Sequence, residues 1–241
     1  MVSNAIVVAY GLKDDGYREI LGMAVGGCES EAFWTEFLRD LVGRGLQGVR
    51  LVTSDAHKGL VTAISSIFTG AAWQRCSVHF LRNVMGKVSK QAQGMVIAGV
   101  QTIFKQPDRK AADEQLQRIA DTLRKQHPVV ARMLEDAQEE ILAYMAFPKD
   151  HWTKIHSTNL LERLNREIGR RADVVGIFPN QAAVVRLIGM VLAEQNDEWQ
   201  VGRRYMSLES VSQLNALVIH DGSGASLPEA VVALSTENQA A

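Results

Sequence analysis

The chain has 241 residues, enough for one large domain or two small ones, and its 26 Lys and Arg against 27 Asp and Glu give a formal net charge of -1. Charged residues at 22% and hydrophobic residues at 46% lie near the globular average, which excludes disorder, collagen and coiled coil as descriptions of the whole chain. Two cysteines are too few for a secreted disulfide framework, the first residues lack the basic start of a signal peptide, and the longest apolar stretch, 182–193, is broken by Arg186 and falls short of the roughly 20 residues that span a bilayer. A cytoplasmic protein with no membrane association is the expectation.

In chain order, residues 2–12 are rich in Val, Ile and Tyr, Lys13-Asp14-Asp15-Gly16 supplies an Asp-Gly turn, and 18–26 returns as a second extended run, so a β-hairpin is expected. Ser30 can cap a helix over 31–42, stopped by Gly43 and Gly45. A short strand at 49–53, a helix at 60–68, a strand near 72–76 and a helix from His79 to about Gln91 follow. From 92 to about 145 the composition turns to Gln, Lys, Asp and Glu with apolar residues at helical spacing, such as Leu116, Ile119, Ala120 and Leu123. Helices over 158–171 and 181–194 come next, the latter apolar nearly all round and therefore expected to be buried. The Gly- and Ser-rich tail after about His220 reads as disordered. The order of elements makes a mixed α/β layer divided into 1–91, a helical insertion at 92–147, a return to the first domain at 148–206, and a tail at 207–241.

Four groups of residues could carry chemistry. Within STNLLERLNREIGRR, a turn of about 100° per residue puts Asn159, Glu162, Arg163, Arg166 and Arg170 on one helix face and Leu160, Leu161, Leu164 and Ile168 on the other. Glu162 could hold a hard cation while the arginines meet phosphate oxygens, or Asn159 and Glu162 could be a capping box on a solvated helix. Asp55 follows a short apolar strand, where α/β sheets place ligand-binding groups, and equally suits a helix N-cap. Cys76 and His79 form C-x-x-H with no partner pair to complete a zinc site, so a buried thiol and a hydrogen-bonded imidazole are the simpler reading; His151 and His156 lack regular ligand spacing. Finally, 73–90 carries Arg75, Arg82, Lys87 and Lys90 with no acidic residue, and 149–171 has six Lys and Arg against three acids, two basic segments that could track phosphates despite the neutral total.

The strings GYREILG, FWTEFLRDLVGRGLQGVRLVTSDAHKGL, WQRCSVHFLRNV, STNLLERLNREIGRR, VVGIFPN and LAEQNDEWQVGRRY, in this order, resemble the Mutator-type family of bacterial insertion-sequence transposases over about residues 5–206. The resemblance implies a ribonuclease-H-like mixed sheet with a helical insertion, an Asp-Asp-Glu triad whose second and third members match Asp55 and Glu162, two Mg²⁺ (or Mn²⁺) ions, and DNA as partner, with a homo-oligomer conceivable. On that pattern Asp55 and Glu162 are catalytic metal ligands, Arg82, Arg163, Arg166, Arg170 and Arg171 are DNA-binding, and Cys76 and His79 match a C-x-x-H motif whose role does not follow from the residues. The family's strand with the first catalytic Asp lies upstream of the segment that 2–12 resembles, so the sheet is expected to lack that strand and the chain to be an inactive C-terminal part, with its hairpin left unpaired. A non-catalytic remnant that binds DNA or the full-length transposase, and a general ribonuclease-H-like nuclease, are the alternatives.

Overall fold

The computed structural model describes residues 4–219 and 230–239. The elements are β1 (Asn4–Leu12), β2 (Arg18–Gly26), α1 (Glu31–Gly43), β3 (Val49–Ser54), α2 (Lys58–Ile67), β4 (Ala72–Arg75), α3 (Ser77–Met85), α4 (Lys90–Ile103), α5 (Arg109–Arg124), α6 (Pro128–Asp136) and α7 (Gln138–Leu142). A 3-10 turn at Ala143–Ala146, then α8 (Lys149–Ile155), α9 (Asn159–Val175), α10 (Gln181–Val201), α11 (Leu208–Ile219) and β5 (Ala230–Gln239) complete the order. Two compact units result, one from 1–73 with 158–241 and one from 74–157.

In the discontinuous unit, Asp15 and Gly16 turn the chain where expected. The Asp15 carboxylate accepts from the Tyr17 amide at 2.9 Å, and Gly16 takes φ 79°, which a side chain rarely adopts. β1 and β2 pair antiparallel with a register shift between Ala9 and Tyr10. Ser30 caps α1 through the Phe33 amide, as its sequence predicts.

The sheet order is β2-β1-β5-β3-β4, with β5 antiparallel to β1 and parallel to β3. The expectation of an unpaired hairpin is therefore corrected: β1 is hydrogen-bonded on both sides, and its second partner comes from the tail that composition marked as disordered. The physical reason lies in the run Val232, Ala233, Leu234, which is apolar enough to be buried (0%, 3% and 0% exposed) once a sheet offers pairing on both edges.

Strand alternation divides the core in two. Val7, Ala9, Val52, Val232 and Leu234 face α1 and α2, where Trp34, Leu38, Leu60 and Ile64 are fully covered. Ile6, Val8, Tyr10 and Ala233 face α9 and α10 and pack on Leu161, Leu164, Ile168, Ile188 and Trp199. The expected all-round burial of α10 is not found. Val184, Ile188, Val191, Leu192 and Trp199 go inward while Met190 stays 71% exposed, because the helix covers only one side of the sheet.

The contiguous unit is helical, and the helices expected over 92–147 fall within it. Asp108 caps α5 through the Ala111 amide at 2.8 Å, and Pro128 opens α6 at a position that needs no amide donor. Gln74, fully buried, ties the start of this unit to its far end: its amide donates to the Ile141 carbonyl at 3.1 Å, and its Oε1 accepts from the Tyr144 amide at 2.8 Å. Among the described residues no helix is long and apolar enough to cross a membrane.

Candidate functional site

Asp55 stands one residue beyond the C-terminal end of β3, half-buried. It does not act as the N-cap of α2, a position that His57 holds without a side-chain bond. The Asp55 carboxylate only approaches the His57 amide, at 3.4 Å. The strand end is braced by Ser54, whose hydroxyl donates to the Asp55 carbonyl at 2.8 Å and accepts from the Trp73 indole at 2.9 Å.

Glu162 lies in the first turn of α9, also half-buried. The capping-box alternative does not form: Thr158 holds the N-cap position, Asn159 is already the first helical residue, and no side chain caps the start. Leu161, Leu164 and Ile168 seat α9 on the sheet beside Ala233 of β5, and β5 is the direct neighbour of β3. The strand that ends at Asp55 and the helix that begins before Glu162 thus flank the same central strand, within one compact unit. Both residues offer the hard oxygen donors that Mg²⁺ takes. Yet among the described residues no three His, Cys, Asp or Glu side chains stand together as a metal site. The residues present fall short of a two-ion centre.

The expected DNA-binding arginines divide by their partners. Arg170 and Arg171 both turn to Glu167, at 2.7 and 2.9 Å, and Arg166 Nε donates to the Glu162 carbonyl at 3.3 Å. The paired arginines hold the partly exposed Glu167 carboxyl below its usual range. Arg163 is exposed and has no ion pair among the described residues. Arg82 belongs to α3 in the contiguous unit, as do Cys76 and His79 at the start of that helix. Cys76 is fully buried and forms no disulfide.

A group that sequence reasoning missed adjoins Arg163. The half-buried Arg18 guanidinium lies 4.6 Å from the centre of the Trp199 ring and 4.4 Å from that of Tyr205. Trp199 in turn meets Tyr10 edge to face at 5.9 Å. Burial lowers the Arg18 pKa; Tyr205 and Tyr10 oppose that shift, and the charge of Arg163 adds to it. Arg18 and Arg163 open into a cleft of about 600 Å³ between α9, α10 and β2, shared with Arg170, Arg171 and three glutamates. The signal was present in two of the strings quoted above, GYREILG for Arg18 and LAEQNDEWQVGRRY for Trp199 and Tyr205, but residues so far apart in sequence show no common spacing.

A family profile described as "Transposase, Mutator family" matches residues 1–202. The chain belongs to that family. Among curated relatives it is similar to the "Transposase for insertion sequence element IS1081" of Mycobacterium tuberculosis, 49% identical over 210 residues that cover 87% of this chain and 51% of the relative. It is also similar to the "Transposase for insertion sequence element IS256 in transposon Tn4001" of Staphylococcus aureus, 41% identical over 87% of this chain and 54% of the relative. The "Transposase for insertion sequence element ISRM5" of Rhizobium meliloti is 36% identical over 92% of this chain and 56% of the relative. The chain spans about half the length of these relatives.

Proposed function

We propose that this chain is the catalytic-core portion of an insertion-sequence transposase, acting on DNA strands at the ends of its element, with Asp55 and Glu162 as two of the acidic residues of the reaction centre. The observation that carries the reading is the family match over 1–202 in a chain whose Asp55 and Glu162 flank one central strand. An antiparallel hairpin beside a strand parallel to β3, with helices on both faces, supports a ribonuclease-H-like reading of the sheet. Two carboxylates are fewer than the resemblance calls for, so strand cleavage requires a further acid, and the chain alone is inactive. With that further acid present, Asp55 and Glu162 would serve as ligands to Mg²⁺ or Mn²⁺. What the chain's own residues do is place two carboxylates at a strand end and a helix start, with arginines along the same helix for the DNA backbone.

The test is cleavage of labelled element ends by the chain alone and by a form extended with the upstream family segment, each with Asp55→Asn and Glu162→Gln variants. The extended form should cleave, and either substitution should slow it about a thousandfold or more, several kcal/mol at 1.36 kcal/mol per tenfold. Cleavage that survives Glu162→Gln would overturn the assignment.

A further inference from the structure

We propose that Arg18 and Arg163 form a subsite for one phosphate group, which in the working protein is a DNA backbone phosphate lying in the cleft between α9, α10 and β2. The inference rests on the DNA-processing reading above and adds a residue, Arg18, that neither the family match nor the sequence pattern singles out. Its basis is how the arginines of this unit use their donors. Arg44 bonds Asp40 and the Leu21 carbonyl, Arg50 the Leu214 carbonyl, Arg204 the Asp15 carbonyl, and Arg170 and Arg171 bond Glu167. Arg18 is different. Among the described residues its guanidinium makes no hydrogen bond or ion pair and is held only by the rings of Trp199 and Tyr205.

Ring contacts restrain the guanidinium while leaving its N–H fork unused, which is the pre-organisation that bidentate phosphate recognition needs. A half-buried cation whose donors no protein group uses is open to a ligand that answers them. Arg163 adds to this, since it sits close enough to disfavour the charge on Arg18 and has no carboxylate partner among the described residues. The cleft holds four arginines against three glutamates, and Glu167 is already engaged by Arg170 and Arg171. Glu198 accepts from Gln195 at 2.8 Å, and Glu194 lies 3.9 Å from Arg171. Neither carboxylate pairs with Arg18 or Arg163, and a tetrahedral anion between the two arginines would relieve their repulsion and satisfy both forks. Arg18 also places this subsite where β2 meets the C-terminal half of α10: its carbonyl accepts from Gln200 at 2.9 Å, and Ile20 donates to Asn196 at 3.0 Å.

The experiment uses the full chain in two arms. In the first, anisotropy of a labelled duplex is followed across a salt series for the parent, R18K, R163Q and the control K110Q on α5. R18K retains the charge while giving up the planar fork, and R163Q alters an exposed side chain, so neither removes a core side chain. Each should weaken binding about tenfold, R163Q should lower the salt slope by about one, and K110Q should change nothing. In the second arm, inorganic phosphate and pyrophosphate are titrated while the Nε–H resonance of Arg18 is observed. Its movement in the parent but not in R163Q supports the subsite. Duplex binding unchanged by R18K and R163Q overturns the subsite and leaves the transposase reading intact. No duplex binding by the parent, with the Arg18 resonance still moving, assigns the subsite to free phosphate and sinks its DNA role. Silence in both arms overturns it altogether.

Discussion

Replacing Leu234 with alanine probes whether β5 belongs to the sheet. Leu234 is 0% exposed and packs with Val7, Trp34, Val52 and Leu60 on the face covered by α1 and α2. At about 0.8 kcal/mol per buried methylene, with a further penalty for the cavity left behind, the substitution should cost about 3 kcal/mol. A small unit has only about 5–15 kcal/mol in total, so this is a large fraction of its stability. With a urea dependence of about 2 kcal/mol per molar, the unfolding midpoint should fall by roughly 1.5 M. Trp34, Trp73 and Trp199 lie in the discontinuous unit, so tryptophan fluorescence reports on it directly. Val42→Ala, on a half-exposed position of α1 (43%), is the control and should cost less than about 0.5 kcal/mol. If the Leu234→Ala midpoint stayed within about 0.2 M of the parent, β5 would not be part of the core and the sheet described above would be wrong.

Gln74→Leu should destabilise the contiguous unit by about 2–4 kcal/mol, because the Tyr144 amide and the Ile141 carbonyl lose a buried partner at once; Trp152 fluorescence in urea measures it. His156, with Nδ1 2.8 Å from the Trp152 carbonyl, has its pKa lowered chiefly by burial, with backbone hydrogen bonds at Trp152 and Thr153 opposing. Its contribution to stability is thus fully present above the unfolded value of about 6.5 and is lost as pH falls from there through the folded value, so melting temperatures should drop between pH 7 and 5, less so in His156→Gln. Gly16→Ala should cost about 2 kcal/mol in the same urea assay, since φ 79° disfavours a side chain and the new Cβ would run into the Met206 carbonyl oxygen.

Local chemistry made several elements legible in the sequence. Asp15-Gly16 announced the hairpin, Ser30 the start of α1, and the apolar run before Asp55 the strand that carries it. Helix starts that depend on neighbours were less legible. Asp55 and Asn159 have good capping side chains, yet the helices begin at Lys58 and Asn159, with His57 and Thr158 at the cap positions. The register shift at Ala9 and Tyr10 has no sequence mark at all. β5 was missed because its worth comes from partners some two hundred residues away, while its own composition follows a Gly- and Ser-rich stretch. The same distance hid the contact of Arg18 with Trp199 and Tyr205. At the candidate site, the acidic pair and the arginine helix were readable as residues, but which arginines remain available depended on Glu167, which sits at helical spacing from both Arg170 and Arg171.

The pairing of Asn4 with Gln239 sets an order of events during synthesis. Residues 74–157 form their unit from one continuous stretch and can fold as soon as that stretch has emerged, whereas the sheet must wait for its last-made strand. Until then β1 presents one open edge and β3 lacks its parallel neighbour, so a nascent chain carries exposed apolar edges until 230–239 has emerged. Translation rate and chaperone supply should therefore govern the soluble yield of this protein more than its equilibrium stability does, and ribosome-stalled chains ending before Ala230 should resist protease only across the contiguous helical unit.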